Sequence, residues 1–123
     1  MALDQCHPQV VRALEKDGWM LENEEYRLLL PSRVGYVDLR MSRGKNGHRE
    51  QLMFVEVKCF PDEDSTTRDL YVSIGQYLVY RAMIDEIELP DAIYLAVPES
   101  ILGIIPLPPV HKANPRNGLV VKL

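Results

Sequence analysis

Short runs of alternating apolar and polar residues occupy the first half of the chain, and this pattern is typical of half-buried β-strands. A stretch rich in Gly and Asn between residues 43 and 50 separates the last two runs and predicts a turn. The acidic residues 22–25 are interpreted as a connection. The predicted strands are Trp19–Glu22, Tyr26–Leu30, Val34–Met41 and Gln51–Phe60.

Helices are predicted before and after these strands in the chain. Apolar residues at helical spacing predict a helix from Gln5 to Asp17, and a Ser/Thr cap predicts a second helix that ends near Ile87. The apolar run 92–97 is typical of a strand covered on both faces, and residues 119–123 predict a last strand. This order predicts an α/β (α+β) fold with a central mixed β-sheet flanked by helices.

Length and composition are those of an ordinary soluble domain. The chain has 123 residues, which fits a single domain over 1–123, with 46% hydrophobic and 26% charged residues. The net charge of −4 argues against strong nonspecific binding to nucleic acid. No apolar run approaches the roughly 18 to 20 residues that span a bilayer, and no secretory signal pattern opens the chain. We therefore expect a cytoplasmic protein without a membrane segment.

The chain contains two cysteines, Cys6 and Cys59. Because Cys59 lies within a predicted strand, the pair suggests neither a disulfide framework nor a zinc cluster. We expect both residues to be small buried thiols.

The strand over 51–60 carries two charges on one face. Side chains alternate across a strand, so Glu56 and Lys58 share a face with Phe54, while Val55 and Val57 share the other. An unpaired buried charge is costly, so these two are paired with each other, hydrated in a cleft, or bound to a ligand. A structural ion pair and a functional site both fit this pattern.

The preceding strand brings another carboxylate, that of Asp38, to the same region through the predicted hairpin. Asp38 shares its strand face with Tyr36 and Arg40. Two converging carboxylates repel each other unless a cation lies between them. The opposite face of this strand is apolar: Val37, Leu39 and Met41.

Both predicted helices carry polar residues that are candidates for such a site. His7 falls on the apolar side of the first helix, where a lone histidine is more often hydrogen-bonded packing, and Glu15 lies near the same face. The second helix has a polar stripe that faces either water or a cleft. Its members are Asp69, Ser73, Gln76 and Tyr80.

These motifs together resemble the signature of the PD-(D/E)XK nuclease superfamily, in which an Asp precedes an apolar strand bearing Glu/Asp-x-Lys. Here Asp38 follows Val37 instead of Pro, and Glu56 and Lys58 complete the pattern ahead of the helix residue Gln76. Longer phrases resemble the cyanobacterial XisH family, the fdxN-element excision controlling factors, over residues 4–100. These phrases are Ala13–Trp19, Tyr36–Leu39, Val55–Phe60, Gly75–Tyr80 and Tyr94–Pro98.

The resemblance implies a restriction-endonuclease-like core and a role in programmed DNA excision during heterocyst development, alongside a companion protein, XisI. It also implies a site for Mg²⁺ or Mn²⁺ held by Asp38, Glu56 and the backbone carbonyl of Val57. Lys58 would then position the attacking water, with Gln76 orienting water or phosphate. Further candidate residues are His7, Glu15 and Tyr80.

Three functions remain open at this point. The first is a metal-dependent DNA endonuclease, and the second is a noncatalytic regulatory subunit of nuclease fold that binds a partner protein or DNA. The third is a globular domain in which Glu56 and Lys58 form a structural pair. Expected partners are DNA, an XisI-like protein and a second copy of the chain, the last because the apolar, Pro-rich segment 101–110 is hard for a monomer to cover.

Overall fold

The computed structural model describes residues 6–44, 50–60, 63–98, 110–114 and 118–121. A short 3-10 turn, Glu63–Ser65, precedes the second helix. Within these ranges no helix is long and apolar enough to cross a membrane. The elements are α1 (His7–Lys16), β1 (Met20–Leu29), β2 (Val34–Arg43), β3 (Gln51–Val57), α2 (Thr66–Ile87), β4 (Ala92–Val97), β5 (Val110–Asn114) and β6 (Gly118–Val121).

The strands form one mixed sheet in the order β1-β2-β3-β4-β6-β5. Strands β1, β2 and β3 are antiparallel neighbours, and β4 runs parallel to β3 because α2 connects them as a crossover. Strand β6 pairs antiparallel with both β4 and β5. The predicted mixed α/β architecture is confirmed, including the last strand.

Strand β5 is not among the strands predicted from the sequence. It follows the Pro-rich segment, and the five residues after Pro109 pair with β6. The sequence also predicts a helix cap at Asp4 and a short helical turn at 99–102, and both lie outside the described residues.

Each face of the sheet is covered by one helix. Phe54 packs with residues of α2, such as Tyr77, whereas Val55 and Val57 pack with Leu14 of α1. The predicted alternation along β3 is therefore confirmed, and Glu56 lies on the α2 side. Strand β4 is also buried on both faces, as its continuous apolar run predicts.

Strand β1 is one continuous element, so the prediction of two short strands joined by residues 22–25 is wrong. Because β1 is the edge strand, its acidic side chains reach water without leaving the sheet. A register shift between Leu21 and Asn23 and a left-handed backbone at Glu25 (φ 51°) accommodate the irregular pattern.

The apolar residues of β2 do not all share one face, which corrects the sequence-based assignment. Val37 packs with the α2-side cluster, whereas Leu39 and Met41 pack with the α1-side cluster. The switch falls at Asp38, which lies opposite the left-handed Glu25 of β1. Strict alternation along β2 is therefore lost at the level of this left-handed residue.

Cys6 and Cys59 form a disulfide, so the prediction of two separate thiols is wrong. The two Cα atoms lie 5.8 Å apart, and the Cys6 N–H donates a hydrogen bond to Cys59 Sγ at 2.9 Å. The bond joins the start of α1 to the segment that follows β3. The sequence alone does not show that these two ends meet, because 53 residues separate them.

Reduction of this disulfide is expected to lower the free energy of unfolding by about 2 to 4 kcal/mol, since the bond restricts the unfolded chain. Urea unfolding of the air-oxidised protein with and without dithiothreitol measures the change. The Cys6→Ser/Cys59→Ser protein is the control and should not respond to the reductant. Equal midpoints for the oxidised and reduced wild type, or two titratable thiols in the oxidised folded protein, would contradict this expectation.

Candidate functional site

Asp38 and Glu56 meet where β2 and β3 diverge. The last paired residues of this ladder are Leu39 and Val55. Beyond them the backbone donors bind side chains: the Asp38 N–H donates to Glu56 Oε1 at 2.8 Å, and the Val57 N–H donates to Asp38 Oδ2 at 2.8 Å. These reciprocal bonds hold the two carboxylates next to each other at the carboxyl end of β3, and we call them the carboxylate pair.

Both side chains of the carboxylate pair are half-buried. Their charges also repel each other. A backbone N–H on each carboxylate favours its charged form. Like charges at short range still repel, so the pair creates a local negative field that attracts a cation.

Tyr80 of α2 lies beside the carboxylate pair. Burial raises the pKa of Tyr80, and the charges of Glu56 and Asp38 raise it further, while a hydrogen bond with the backbone of Tyr36 lowers it. The ring reaches β2 because Gly35 has no side chain, and an added Cβ there would lie 3.0 Å from Tyr80 Cε1. The structure therefore brings Tyr80 to the site.

Lys58 follows the end of β3, and its backbone N–H donates to the carbonyl of Ala96 at 3.0 Å. This bond continues the parallel pairing of β3 with β4 and fixes the position of the residue. The Lys58 side chain is half-buried.

The polar stripe of α2 divides between the core and the surface. Ser73 is buried and its Oγ donates to the carbonyl of Asp69 at 2.7 Å. Gln76 is exposed and lies one helical turn before Tyr80, on the same side of α2. Gln76 is therefore near the site by its position, without a recorded contact to the carboxylate pair.

The two candidates on α1 differ in burial. His7 is buried, and among the described residues its two ring nitrogens have no hydrogen-bond partner. Glu15 lies in the last turn of α1 and is exposed, so it does not share the buried side of the helix with His7.

The donor set limits the metal that the site would hold. Among the described residues, no group of three or more His, Cys, Asp or Glu side chains is placed to bind a metal. Mg²⁺ typically uses one or two carboxylates and keeps waters or substrate phosphates as its other ligands. The carboxylate pair with the Val57 carbonyl fits that pattern and does not fit a closed structural site.

The sequence analysis missed an ion pair between Arg40 and Asp91. Arg40 Nε donates to Asp91 Oδ2 at 2.9 Å and Nη2 donates to Oδ1 at 3.1 Å, and the hydrogen bond raises the pKa of Arg40. Its guanidinium carbon lies 4.9 Å from the ring centre of Tyr26. The available sequence signal for this ion pair was the position of Asp91, an acidic residue directly before an apolar strand. Arg40 is therefore a packing residue and not part of a basic loop.

Tyr80 offers a spectroscopic probe of the carboxylate pair. Its raised pKa means that the folded protein loses stability as pH rises above about 10, the ordinary tyrosine value. In Glu56→Gln the pKa of Tyr80 should fall, because one repelling charge is removed. Absorbance titration of tyrosinate measures the shift, and comparison with Tyr80→Phe isolates the signal of this residue. An unchanged Tyr80 titration in Glu56→Gln would contradict the proximity of Tyr80 to Glu56.

The fold and the site together define a mixed α/β protein with two carboxylates at the point where its central antiparallel strands diverge. The family model described as XisH protein matches residues 1–108. The chain belongs to the XisH family, and the resemblance to this family that the sequence shows is confirmed.

Two solved structures are similar to this chain. An fdxN element excision controlling factor protein from Anabaena variabilis is 26% identical, with a TM-score of 0.67 over 81% of this chain and 74% of its own. An XisH family protein from Nostoc punctiforme PCC 73102 is 26% identical, with a TM-score of 0.69 over 85% of this chain and 80% of its own. No curated protein matches the sequence significantly.

Proposed function

We propose that this chain is a Mg²⁺- or Mn²⁺-dependent DNA-processing protein of the PD-(D/E)XK type. The observation that carries the proposal is the pair of hydrogen bonds across the diverging strands, in which the Asp38 N–H donates to Glu56 and the Val57 N–H donates to Asp38. It supports the proposal because these bonds hold two carboxylates next to each other, an arrangement that favours a divalent ion.

The roles of the residues follow from charge and position. Asp38, Glu56 and the carbonyl of Val57 would hold the ion, which supplies charge stabilisation and a more acidic bound water. Lys58, two residues after Glu56, would position that water and neutralise charge on the scissile phosphate. Tyr80 lies beside the carboxylate pair, and Gln76, one helical turn before it, would orient water or phosphate.

The biological setting of the proposal comes from the relatives. One solved relative is an fdxN element excision controlling factor, and we extend to this chain a role in excising a DNA element during heterocyst development in a cyanobacterium. DNA, an XisI-like companion protein and a second copy of the chain are the partners in this proposal. Such a role places the protein in the cytoplasm with the chromosome.

A noncatalytic regulatory subunit is the second candidate. It is favoured by the net charge of −4 and by the fact that Arg40 and Arg43, both near the β2–β3 hairpin, are paired within the protein. These two cations of the described part of the hairpin are therefore already engaged, and DNA binding depends on cations that are available for phosphate contacts. In this case the carboxylate pair would serve partner binding.

Cleavage of supercoiled and linear DNA in Mg²⁺ or Mn²⁺, with and without the companion protein, tests the first candidate. We expect nicking or cutting that EDTA abolishes and that added Mg²⁺ restores. Metal-independent nicking would indicate a contaminating activity and contradict the proposal. Companion binding without any cleavage would support the regulatory subunit instead.

A further inference from the structure

The outward face of α2 is apolar although it is exposed. Four of its side chains are large and uncovered, with exposed fractions of 70% for Tyr71, 53% for Val72, 51% for Leu78 and 40% for Val79. The opposite face of the same helix packs into the core through residues such as Tyr77. A helix that is apolar all round is normally buried all round, so this face lacks a partner.

The exposed residues follow a heptad pattern. Steps of three and four residues alternate along a single line of the helix, and this spacing is typical of helices that pair along their length. All six positions on the line are exposed. We call this line the α2 seam, and it consists of Arg68, Tyr71, Gly75, Leu78, Ala82 and Asp85.

The α2 seam is complementary to itself when a second copy lies antiparallel to it. One two-fold axis between residues 76 and 77 places Tyr71 opposite Ala82 of the second copy and Gly75 opposite Leu78. Each large side chain then faces a small one. The same axis places Arg68 opposite Asp85, so that opposite charges meet at both ends.

The space around Gly75 suits this arrangement. A Cβ added at Gly75 would have no atom within 4 Å, so the helix surface is open where Leu78 of the second copy would insert. On the flank of the seam, Val72 would lie about two residues from the level of Val79 of the second copy, and these two side chains would extend the apolar contact. Small residues at two of the six positions let the helix axes approach closely.

We propose that α2 is a homodimer interface in which two copies pair antiparallel along the α2 seam. A second copy is favoured over an unrelated protein because a single two-fold axis places large side chains opposite small ones and Arg68 opposite Asp85. An isologous contact requires this kind of match. The homodimer expected from the sequence was attributed to the segment 101–110, which is outside the described residues. The surface proposed here is a different one.

The dimer leaves the carboxylate pair accessible. At about 100° per residue, Tyr80 lies on the opposite side of α2 from Leu78 and Ala82, whereas Gln76 lies on the flank with Val72 and Val79. Pairing along the seam therefore does not cover Tyr80 or the carboxylate pair beside it. The inference does not depend on nuclease activity, because it requires only the surface of α2, and the two proposals can fail separately.

The expected dimer is reversible. The seam spans 17 residue steps, or about 26 Å of helix, and one helix face is smaller than the roughly 800 Å² per partner of standard interfaces. We therefore expect dissociation in the micromolar range. Sedimentation equilibrium of the wild type across this range should show a mass that rises from one chain to two.

Two sets of variants test the seam itself. Leu78→Glu places a charge against Gly75 of the second copy and should raise the dissociation constant more than about tenfold. Met20→Glu is the matched control, because Met20 is equally apolar and 66% exposed on β1. Neither change should affect folding, since both side chains are exposed.

Charge reversal tests the antiparallel register. Arg68→Glu and Asp85→Arg should each weaken the dimer severalfold, because each creates two like-charge contacts. The double variant Arg68→Glu/Asp85→Arg restores both contacts and should return the dissociation constant to near the wild-type value.

Three results would overturn the proposal. The first is a wild type that remains monomeric to millimolar concentration, which would mean that something else covers the seam. The second is a dimer that is unaffected by Leu78→Glu, which would place the interface elsewhere. The third is a double charge variant that is weaker than both single variants, which would exclude the antiparallel pairing.

Discussion

Replacing Arg40 with methionine is expected to lower the free energy of unfolding by about 3 to 5 kcal/mol, the loss typical of removing one partner from a buried ion pair. The Asp91 side chain is fully buried, whereas the Arg40 side chain keeps 21% of its surface exposed. Without Arg40, the Asp91 carboxylate has lost the guanidinium that binds both of its oxygens. Methionine retains much of the packing against Tyr26. The loss in free energy of unfolding is therefore due mainly to the missing guanidinium charge beside Asp91.

The burial of the two partners predicts an asymmetry between the single variants. Asp91→Asn should cost less than Arg40→Met, because the partly exposed guanidinium regains some hydration. The double variant Arg40→Met/Asp91→Leu should recover part of the loss, since it leaves no buried charge. Urea unfolding, followed by circular dichroism, measures all three.

Asp17→Asn provides the surface control for this series. Asp17 pairs with Arg43 at 3.8 Å, with side chains 50% and 36% exposed, and such pairs contribute about 1 kcal/mol or less. A similar small loss in Arg40→Met would contradict the structural role given to Arg40. Equal losses in Arg40→Met and Asp91→Asn would contradict the asymmetry.

Replacing Glu56 with glutamine is expected to reduce Mg²⁺-dependent DNA cleavage by about 100-fold or more, the scale on which lost transition-state charge stabilisation lowers rates. Glutamine keeps an oxygen that accepts the hydrogen bond from the Asp38 N–H, so the strand geometry should persist. The variant therefore removes the charge and keeps the contact. Initial rates at saturating metal measure the effect.

Asp17→Asn serves as the matched control for this prediction as well, because it removes one carboxylate charge at the other end of the sheet. Lys58→Met separates the roles further, since it should slow cleavage and leave metal binding intact. A Glu56→Gln protein that cleaves at the wild-type rate would exclude Glu56 from the chemistry, whatever the metal requirement.

The central part of the site was predictable because it depends on local patterns. Glu56 and Lys58 lie two residues apart on a strand, and alternation alone places them on one face. The hairpin between β2 and β3 brings Asp38 alongside, and no long-range knowledge is needed for that step. Tyr80 was also found from its helical spacing, although the sequence did not show whether its stripe faced water or the sheet.

The remaining features depend on contacts between distant parts of the chain. Arg40 and Asp91 are 51 residues apart, and Cys6 and Cys59 are 53 apart, so neither pairing follows from local periodicity. The loss of alternation along β2 falls at Asp38, opposite the left-handed Glu25 of the neighbouring strand. Glu15 was misassigned because spacing alone does not show how a helix is rotated on its sheet.

Titration with Mn²⁺, followed by the electron paramagnetic resonance of the free ion, tests most directly whether the carboxylate pair is a divalent-cation site. The account predicts that the wild type and Asp17→Asn each bind a Mn²⁺ ion that Mg²⁺ displaces. It predicts that Asp38→Asn and Glu56→Gln lose this binding while remaining folded. Binding of equal strength in all four proteins, or no binding to the wild type, would contradict it.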